Sequence, residues 1–444
     1  FGQALGKEIP ALQEFPLALL ATPFILALLV GFAAGVYPAF VLSSLKSVDS
    51  LKGKLKTVQE NVGLRKSLVA FQFGTAAVVF IGAIVISQQV RYFFDKDPGY
   101  NKEYILYAQL PRNWSQQGVQ YMETVRQQLA SLPQVSNATL SFEIPNGMNS
   151  GSLQLYKAGS DSTQAITSQL LTTDNQYAAT YSIPMKAGQF FTPAYAPSDS
   201  TKIVINESQS TALGWRNPQE AIGKQVRIYG FRGTLTISGV TADFNFDSMQ
   251  NRIRPITFLN VHFNTVYRFF SLKLRPGNMG NSIAAVQKQW AALLPGAPFE
   301  YNFMDDALKQ LYKTELRLQR AAYIATAVAI LIVLLGVVGL VSLSIQKRTK
   351  EIGIRKVVGA PVPGIIGLFI KEFLPVIGLA GLVACAPAWW LMRQWLNGYA
   401  YRVPLTAAPF VGTIALLGIV TALLITVQTL KAAYANPVKS LRTE

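Results

Sequence analysis

Histidine and cysteine are nearly missing from this sequence: His262 and Cys385 are the only ones in 444 residues. A lone thiol cannot form a disulfide within the chain, and the long stretch 91–320 has no cysteine at all. His262 falls in an expected strand with no second His or Cys near it, which argues against a metal site and against a His-based triad. No G-x-x-x-x-G-K-[ST] phosphate loop occurs, so nucleotide-driven work needs another polypeptide. The adjacent acids Asp305-Asp306 read as the opening of a helix, where Asp is common. Asp243 and Asp247 flank a turn at Phe244-Asn245-Phe246. No catalytic, metal or cofactor site is therefore expected.

Charge is scarce too. Asp, Glu, Lys and Arg make up 14% of the residues, against about 25% in soluble proteins. The deficit is concentrated in five uncharged runs: 15–45, 67–90, 321–346, 373–392 and 403–430. About 20 apolar residues cross a hydrocarbon core, so each run is read as a membrane span. Pro16, Pro23, Pro38, Pro375 and Pro387 lie inside them, which neighbouring helices tolerate. Gly31, Gly35, Gly336 and Gly339 are expected to allow close helix contact.

The basic residues supply the orientation. Lys46, Lys52, Lys54, Lys56, Arg65 and Lys66 fill the first connection, and Lys347, Arg348, Lys350, Arg355, Lys356 and Lys371 fill the third. Lys431, Lys439 and Arg442 follow the last span. Lys and Arg mark the cytoplasmic side, so 46–66, 347–372 and 433–444 are read as cytoplasmic and the large segment as external. Topology and anionic lipid account for most of the net charge of +17, and nucleic acid is not an expected partner.

The motif V-x-S-L-[K/R] occurs at 48–52 and again at 438–442, each after a long apolar run. This repeat predicts that 1–45 ends with the last helix of a preceding module. A complete second module then follows: 67–97 as membrane helix and stalk, 98–306 as an external domain, 307–346 as stalk and membrane helix, 347–372 as a cytoplasmic segment, and 373–432 as two membrane helices joined by a short hairpin.

The external domain reads as mixed α/β. Strands are expected at 104–110, 135–142, 203–205, 224–228, 235–240, 256–261 and 269–274, with helices at 119–132 and 282–294. The second span runs on without a breaker through Tyr92 and Phe93. The third is preceded by 307–320, also without Pro or Gly, where Leu308, Leu311, Tyr312 and Leu316 make a helical stripe. Both helices are expected to leave the bilayer as a paired stalk.

The most specific stretch is Lys347-Arg348-Thr349-Lys350-Glu351-Ile352-Gly353-Ile354-Arg355-Lys356-Val357-Val358-Gly359-Ala360-Pro361. It predicts a short amphipathic helix, with Ile352, Ile354, Val357 and Val358 apolar and Arg348, Lys350, Glu351, Arg355 and Lys356 charged. Such a helix can lie on a membrane or dock in a partner's groove.

This run resembles the loop of MacB/FtsX-type ABC transporter permeases, in their double-module form. Gly188-Gln189-Phe190-Phe191, Ile203-Val204-Ile205-Asn206-Glu207, Ala221-Ile222-Gly223-Lys224 and Ile237-Ser238-Gly239-Val240 are similar to the MacB-like periplasmic core domain. The resemblance implies an α-helical membrane protein of about five transmembrane helices with an inserted mixed α/β periplasmic domain, multi-pass in a bacterial inner membrane. It implies a coupling helix at Lys350, Glu351, Ile352, Gly353, Arg355, Lys356 and Gly359, docked on a dimer of cytoplasmic ABC ATPase. Glu351, Arg355 and Lys356 would be its polar contacts. Hydrolysis would belong to that separate subunit, and this chain would transmit its motion to the periplasmic domain for export, efflux or extrusion. A periplasmic adaptor or enzyme is a further implied partner, beside membrane lipids. The alternative is an FtsX-like scaffold that regulates a periplasmic partner such as a cell-wall hydrolase. A membrane-anchored periplasmic enzyme is a third reading without a supporting motif.

Overall fold

The computed structural model describes residues 16–43, 62–148, 151–192 and 201–434. The repeated motif at 48–52 and 438–442 lies outside them, with most of the first basic loop and the tail. In chain order the elements are α1 (Leu17–Ser43), α2 (Val62–Asp95), β1 (Ile105–Gln109), α3 (Gln116–Ala130), β2 (Val135–Ser141), β3 (Ser152–Lys157), β4 (Ile166–Thr173), β5 (Met185–Gly188), β6 (Lys202–Asn206), α4 (Glu207–Ala212), β7 (Gln225–Ile228), β8 (Leu235–Thr241), β9 (Ile256–Asn260), β10 (Phe269–Leu274), α5 (Met279–Leu293), β11 (Tyr301–Phe303), α6 (Met304–Leu311), α7 (Lys313–Lys347), α8 (Thr349–Val357), α9 (Val362–Leu396) and α10 (Ala408–Ala433). They form two compact units, one of Phe1–Ser87, Arg317–Gln394 and Pro404–Glu444, the other of Gln88–Leu316 and Trp395–Val403.

Among the described residues, four helices are long and apolar enough to cross a membrane: Lys66–Asp95, Lys313–Lys347, Val362–Leu396 and Ala408–Ala433. The first uncharged run is helical as α1, with Ala21–Phe32 as its described apolar part. Val69, Phe73, Val333, Val341, Phe369, Phe373 and Ile425 form the shared core of the other helices. Of the four glycines expected at helix contacts, only Gly336 serves one: a Cβ there would collide with Gln72 Oε1 on α2. Gly31, Gly35 and Gly339 have open space beside them. Helix α9 starts at Val362, eleven residues before the uncharged run expected there, and continues through Pro375 and Pro387. Lys371 and Glu372 therefore sit within a helix and not in a loop. Glu372 is tolerated there because Lys66 and Arg348 neutralise it.

In the second unit all seven expected strands and both expected helices are present. Strands β11-β1-β10-β2 lie side by side, and both neighbours of each inner strand are antiparallel to it. Thus β1-α3-β2 and β10-α5-β11 are two interleaved β-α-β units, each with a strand of the other between its own two. Their helices cover one face, where Val119, Met122, Val125, Leu129, Val286 and Trp290 pack on Leu106, Leu140, Phe270 and Leu272. These are the i, i+3, i+4 positions that the sequence marks as apolar. Ser115 and Asn278 cap the two helices by accepting from backbone N–H groups of the first turn.

Everything from 142 to 268 is inserted between β2 and β10. There β4 pairs with β3, β3 with β7, β7 with β8, β8 with β6 and β6 with β9, and β9 returns to β4 in parallel register. Six strands thus close a ring. All six supply residues to one core, among them Leu155, Leu170, Val226, Ile237, Ile205 and Leu259. His262 lies in the turn after β9, not in a strand, and its Nε2 is 2.9 Å from Glu123 Oε2. Asn260 caps that turn by accepting from the His262 N–H, which ends the strand.

Candidate coupling surface and stalk

Helix α8 is fixed at both ends by residues of its own unit. Its first residue follows Arg348, whose Nη2 is 3.0 Å from Glu372 Oε2, while Lys66 Nζ is 3.3 Å from Glu372 Oε1. The Arg348 guanidinium also lies 5.9 Å from the centre of the Phe369 ring. At the other end the Gly359 N–H donates to Lys356 O and the Ala360 N–H to Arg355 O. This paired pattern needs a left-handed residue, and Gly359 supplies it with φ 91°. Pro361 follows and cannot continue the helix. The sequence Val358-Gly359-Ala360-Pro361 thus sets the helix length.

The expected single apolar side does not form. Ile352 and Gly353 are buried, and Ile352 packs into the core of the membrane helices. Ile354, Val357 and Val358 point away from it and are 56%, 67% and 81% exposed. The reason is angular: 352 and 357 lie five residues apart, which at 3.6 residues per turn puts them on different faces. The polar residues also separate. Lys350 is exposed, and Glu351 and Arg355 are exposed and paired at 2.7 Å across one turn. Lys356 is turned inward, and its ammonium donates to Ala433 O at the end of α10. α8 and its C-cap residue Val358 therefore present three branched apolar side chains beside a complementary ion pair.

The stalk residues belong to the second unit. Phe93, Leu308 and Tyr312 are buried together, with Tyr92 and Leu311 packed against them. The Phe93 and Tyr312 rings stack at 4.6 Å between centres and 10° between planes. Leu316 is not part of this cluster. The sequence predicts an unbroken helix over 307–320, but α6 ends at Leu311 and α7 begins at Lys313. Tyr312, at φ −102° and ψ 22°, leaves helical geometry. Its buried ring is held by Phe93, and its hydroxyl accepts from the Met249 N–H at 2.9 Å. These contacts set the break, and no Pro or Gly announces it. Burial raises the Tyr312 phenol above its ordinary range, so it stays a neutral hydrogen-bonding group.

Three members of this cluster lie outside the two stalk helices: Met249, Tyr399 and Tyr401. Tyr399 and Tyr401 come from the connection between α9 and α10. Trp395 in the last turn of α9, followed by Tyr399 and Tyr401, is the aromatic signal that points to them. Burial, with Glu315 nearby, pushes the Tyr399 phenol up to about 12.

Comparison with known proteins agrees with this architecture. Residues 68–293 match the MacB-like periplasmic core domain, just over half of the chain, and 323–437 match the FtsX-like permease C-terminal region. No curated protein matches. Among solved structures, the periplasmic region of MacB from Actinobacillus actinomycetemcomitans is 14% identical, with 49% of this chain and 96% of that one covered and a TM-score of 0.35. A domain of a permease protein from Porphyromonas gingivalis is 16% identical, with 46% and 89% covered and a TM-score of 0.31. The extracellular domain of the ABC-type transporter YknZ from Gram-positive bacteria is 15% identical, with 45% and 98% covered and a TM-score of 0.30. With apolar helices on both sides of an inserted domain of this kind, the chain belongs to the FtsX-like permeases that carry a MacB-like periplasmic core domain.

Proposed function

We propose that this chain is the permease subunit of an ABC transporter in a bacterial inner membrane, and that it passes the motion of a cytoplasmic ATPase dimer to its periplasmic domain to drive export. The observation that carries this reading is the form of α8. A helix seated by Ile352 and Lys356 offers Ile354, Val357 and Val358 to solvent, beside the Glu351–Arg355 pair. Water does not favour three exposed branched residues within the five positions 354–358, and a groove on a partner would cover them. The docking residues are then Lys350, Glu351, Ile354, Arg355, Val357 and Val358, whereas Ile352, Gly353, Lys356 and Gly359 hold the helix in place. The family relationship supports an ATPase as that partner.

The test is co-purification of the full chain with its ATPase. Glu351→Lys with Val357→Asp is expected to weaken retention of the ATPase by about tenfold or more, since a central apolar contact is replaced by charge. The outer domain should melt at an unchanged temperature. Full retention of the ATPase by this variant would overturn the assignment.

A further inference from the structure

The connection between the last two membrane helices, with the end of α9, is grouped with the outer domain: Trp395–Val403 is part of the same compact unit. Its backbone is tied there at four points. The Ala400 N–H donates to Gln250 O at 2.9 Å and the Tyr401 N–H to Met249 O at 3.3 Å. Gln89 makes the other two: its Nε2 donates to Tyr401 O, and its Oε1 accepts from the Val403 N–H, both at 2.9 Å. One side-chain amide thus pairs with the chain as a strand partner does. Gln89 is fully buried. A buried amide is costly unless both its ends are satisfied, and here both are.

Side chains reinforce the tie. Tyr399 packs on Phe93 with ring centres 5.5 Å apart, and Trp395 packs on Tyr399 at 5.0 Å. The Lys96 ammonium sits 3.9 Å from the centre of the Tyr401 ring. Met249 and Gln250 are themselves anchored to the stalk, through the Met249 N–H to Tyr312 and the Gln250 amide to the buried Glu315.

We propose that 395–403 is a strap that moves as part of the outer domain, with Gln89 as the residue that positions it. The domain then has two stalk helices and, through this strap, a further attachment to α9 and α10. Because α10 also holds Lys356 of α8, displacement of α8 would have a route to the outer domain apart from the stalk, through that hydrogen bond, α10 and the strap. The strap stands on contacts within the outer unit alone. Only its response to nucleotide rests on the proposed function.

The test uses the full chain in nanodiscs, in a Cys385→Ala background, with spin labels at Ala400→Cys on the strap and Lys288→Cys on α5. Without ATPase, a single narrow distance is expected, and the Val403 amide should exchange slowly. Gln89→Met keeps the side-chain volume and removes the hydrogen bonds. It is expected to speed Val403 exchange by about tenfold or more and to broaden the distance, with the melt of the outer domain preserved. Should Gln89→Met fail to fold, Val403→Pro removes one of the same bonds from the other side and is expected to broaden the distance. With ATPase and a non-hydrolysable ATP analogue, the wild-type distance should not change. A wild-type distance that shifts with nucleotide, or exchange and distance both unaltered in the folded variant, would overturn the strap. Retention of the ATPase is scored in the same samples, so a failure of docking is seen separately and leaves the nucleotide-free result standing.

Discussion

Trp290, Phe258 and Phe270 are wholly buried in the outer domain, while Phe71, Leu335 and Leu379 of the membrane unit are among its more exposed side chains. Polar residues run the other way. The outer domain buries a full ion pair: Asp174 lies 3.0 Å from Arg126 Nε, and accepts from the Thr139 hydroxyl at 2.5 Å and from the Leu140 and Gln176 N–H groups at 2.9 Å. The membrane unit leaves its comparable carboxylate, Glu372, partly exposed between two cations. Water drives apolar groups inward in one unit. Lipid gives no such drive in the other, where close packing and small residues decide helix contact. The same residue types thus fill the core in one half and lie both inside and outside in the other.

The sharpest way to break this contrast is to truncate a large apolar residue in each unit. Trp290→Ala should cost about 3–5 kcal/mol of stability, read from the melt of the full chain in detergent. Leu335→Ala, which faces outward, should cost less than about 1 kcal/mol. Equal losses would mean that Leu335 packs against something other than lipid.

A pH dependence follows from the buried pair. Burial outweighs Arg126 and the three hydrogen bonds and pushes the Asp174 carboxyl up to about 6. A folded-state value above the ordinary 3.8 means that folding favours the protonated acid. Its contribution is complete below pH 3.8 and lost as pH rises to about 6, a change on the order of 3 kcal/mol. Asp174→Asn should remove this slope between about pH 4 and pH 6, as seen in the difference between the two melting curves. A wild-type curve that rises over that range relative to the variant would show that Arg126 holds the acid ionised.

A smaller effect is expected at the stalk. Tyr312→Phe keeps the stack on Phe93 and removes the acceptor of the Met249 N–H, at a cost of about 1–3 kcal/mol. Hydrogen exchange at the Met249 amide should report the loss locally. Unaltered exchange would place the break at Tyr312 under the control of ring packing alone.

How much of this was legible differs between the units for physical reasons. Long uncharged runs are a strong signal, and the membrane helices followed from them. Their ends did not, because Glu372 carries a charge that only Lys66 and Arg348, distant in sequence, can neutralise. In the outer domain, period and composition marked β1, β2, β6 to β10, α3 and α5. Strand β4 escaped, since Ile-Thr-Ser-Gln-Leu-Leu-Thr-Thr is mostly polar and yet largely buried. Ser168 finds Thr257 and Thr172 finds Asn264, partners set by tertiary pairing. Strands β5 and β11, of four and three residues, are too short to show a period. The coupling segment was legible as a short helix, but its faces were not. Which of Ile352 and Val357 turns inward depends on where the membrane helices lie, and local sequence does not hold that information. The strap was not foreseen at all, because Gln89 reads as one polar residue near a helix end.

The parallel pairing of β4 with β9 has an effect beyond closing a core. A β-ribbon left open at its side offers unpaired N–H and C=O groups to any extended chain that drifts past. Here the six strands of the ring pair with one another, and the three-residue β11 ends the sheet beyond β1. The ring therefore gives such a chain little to grip.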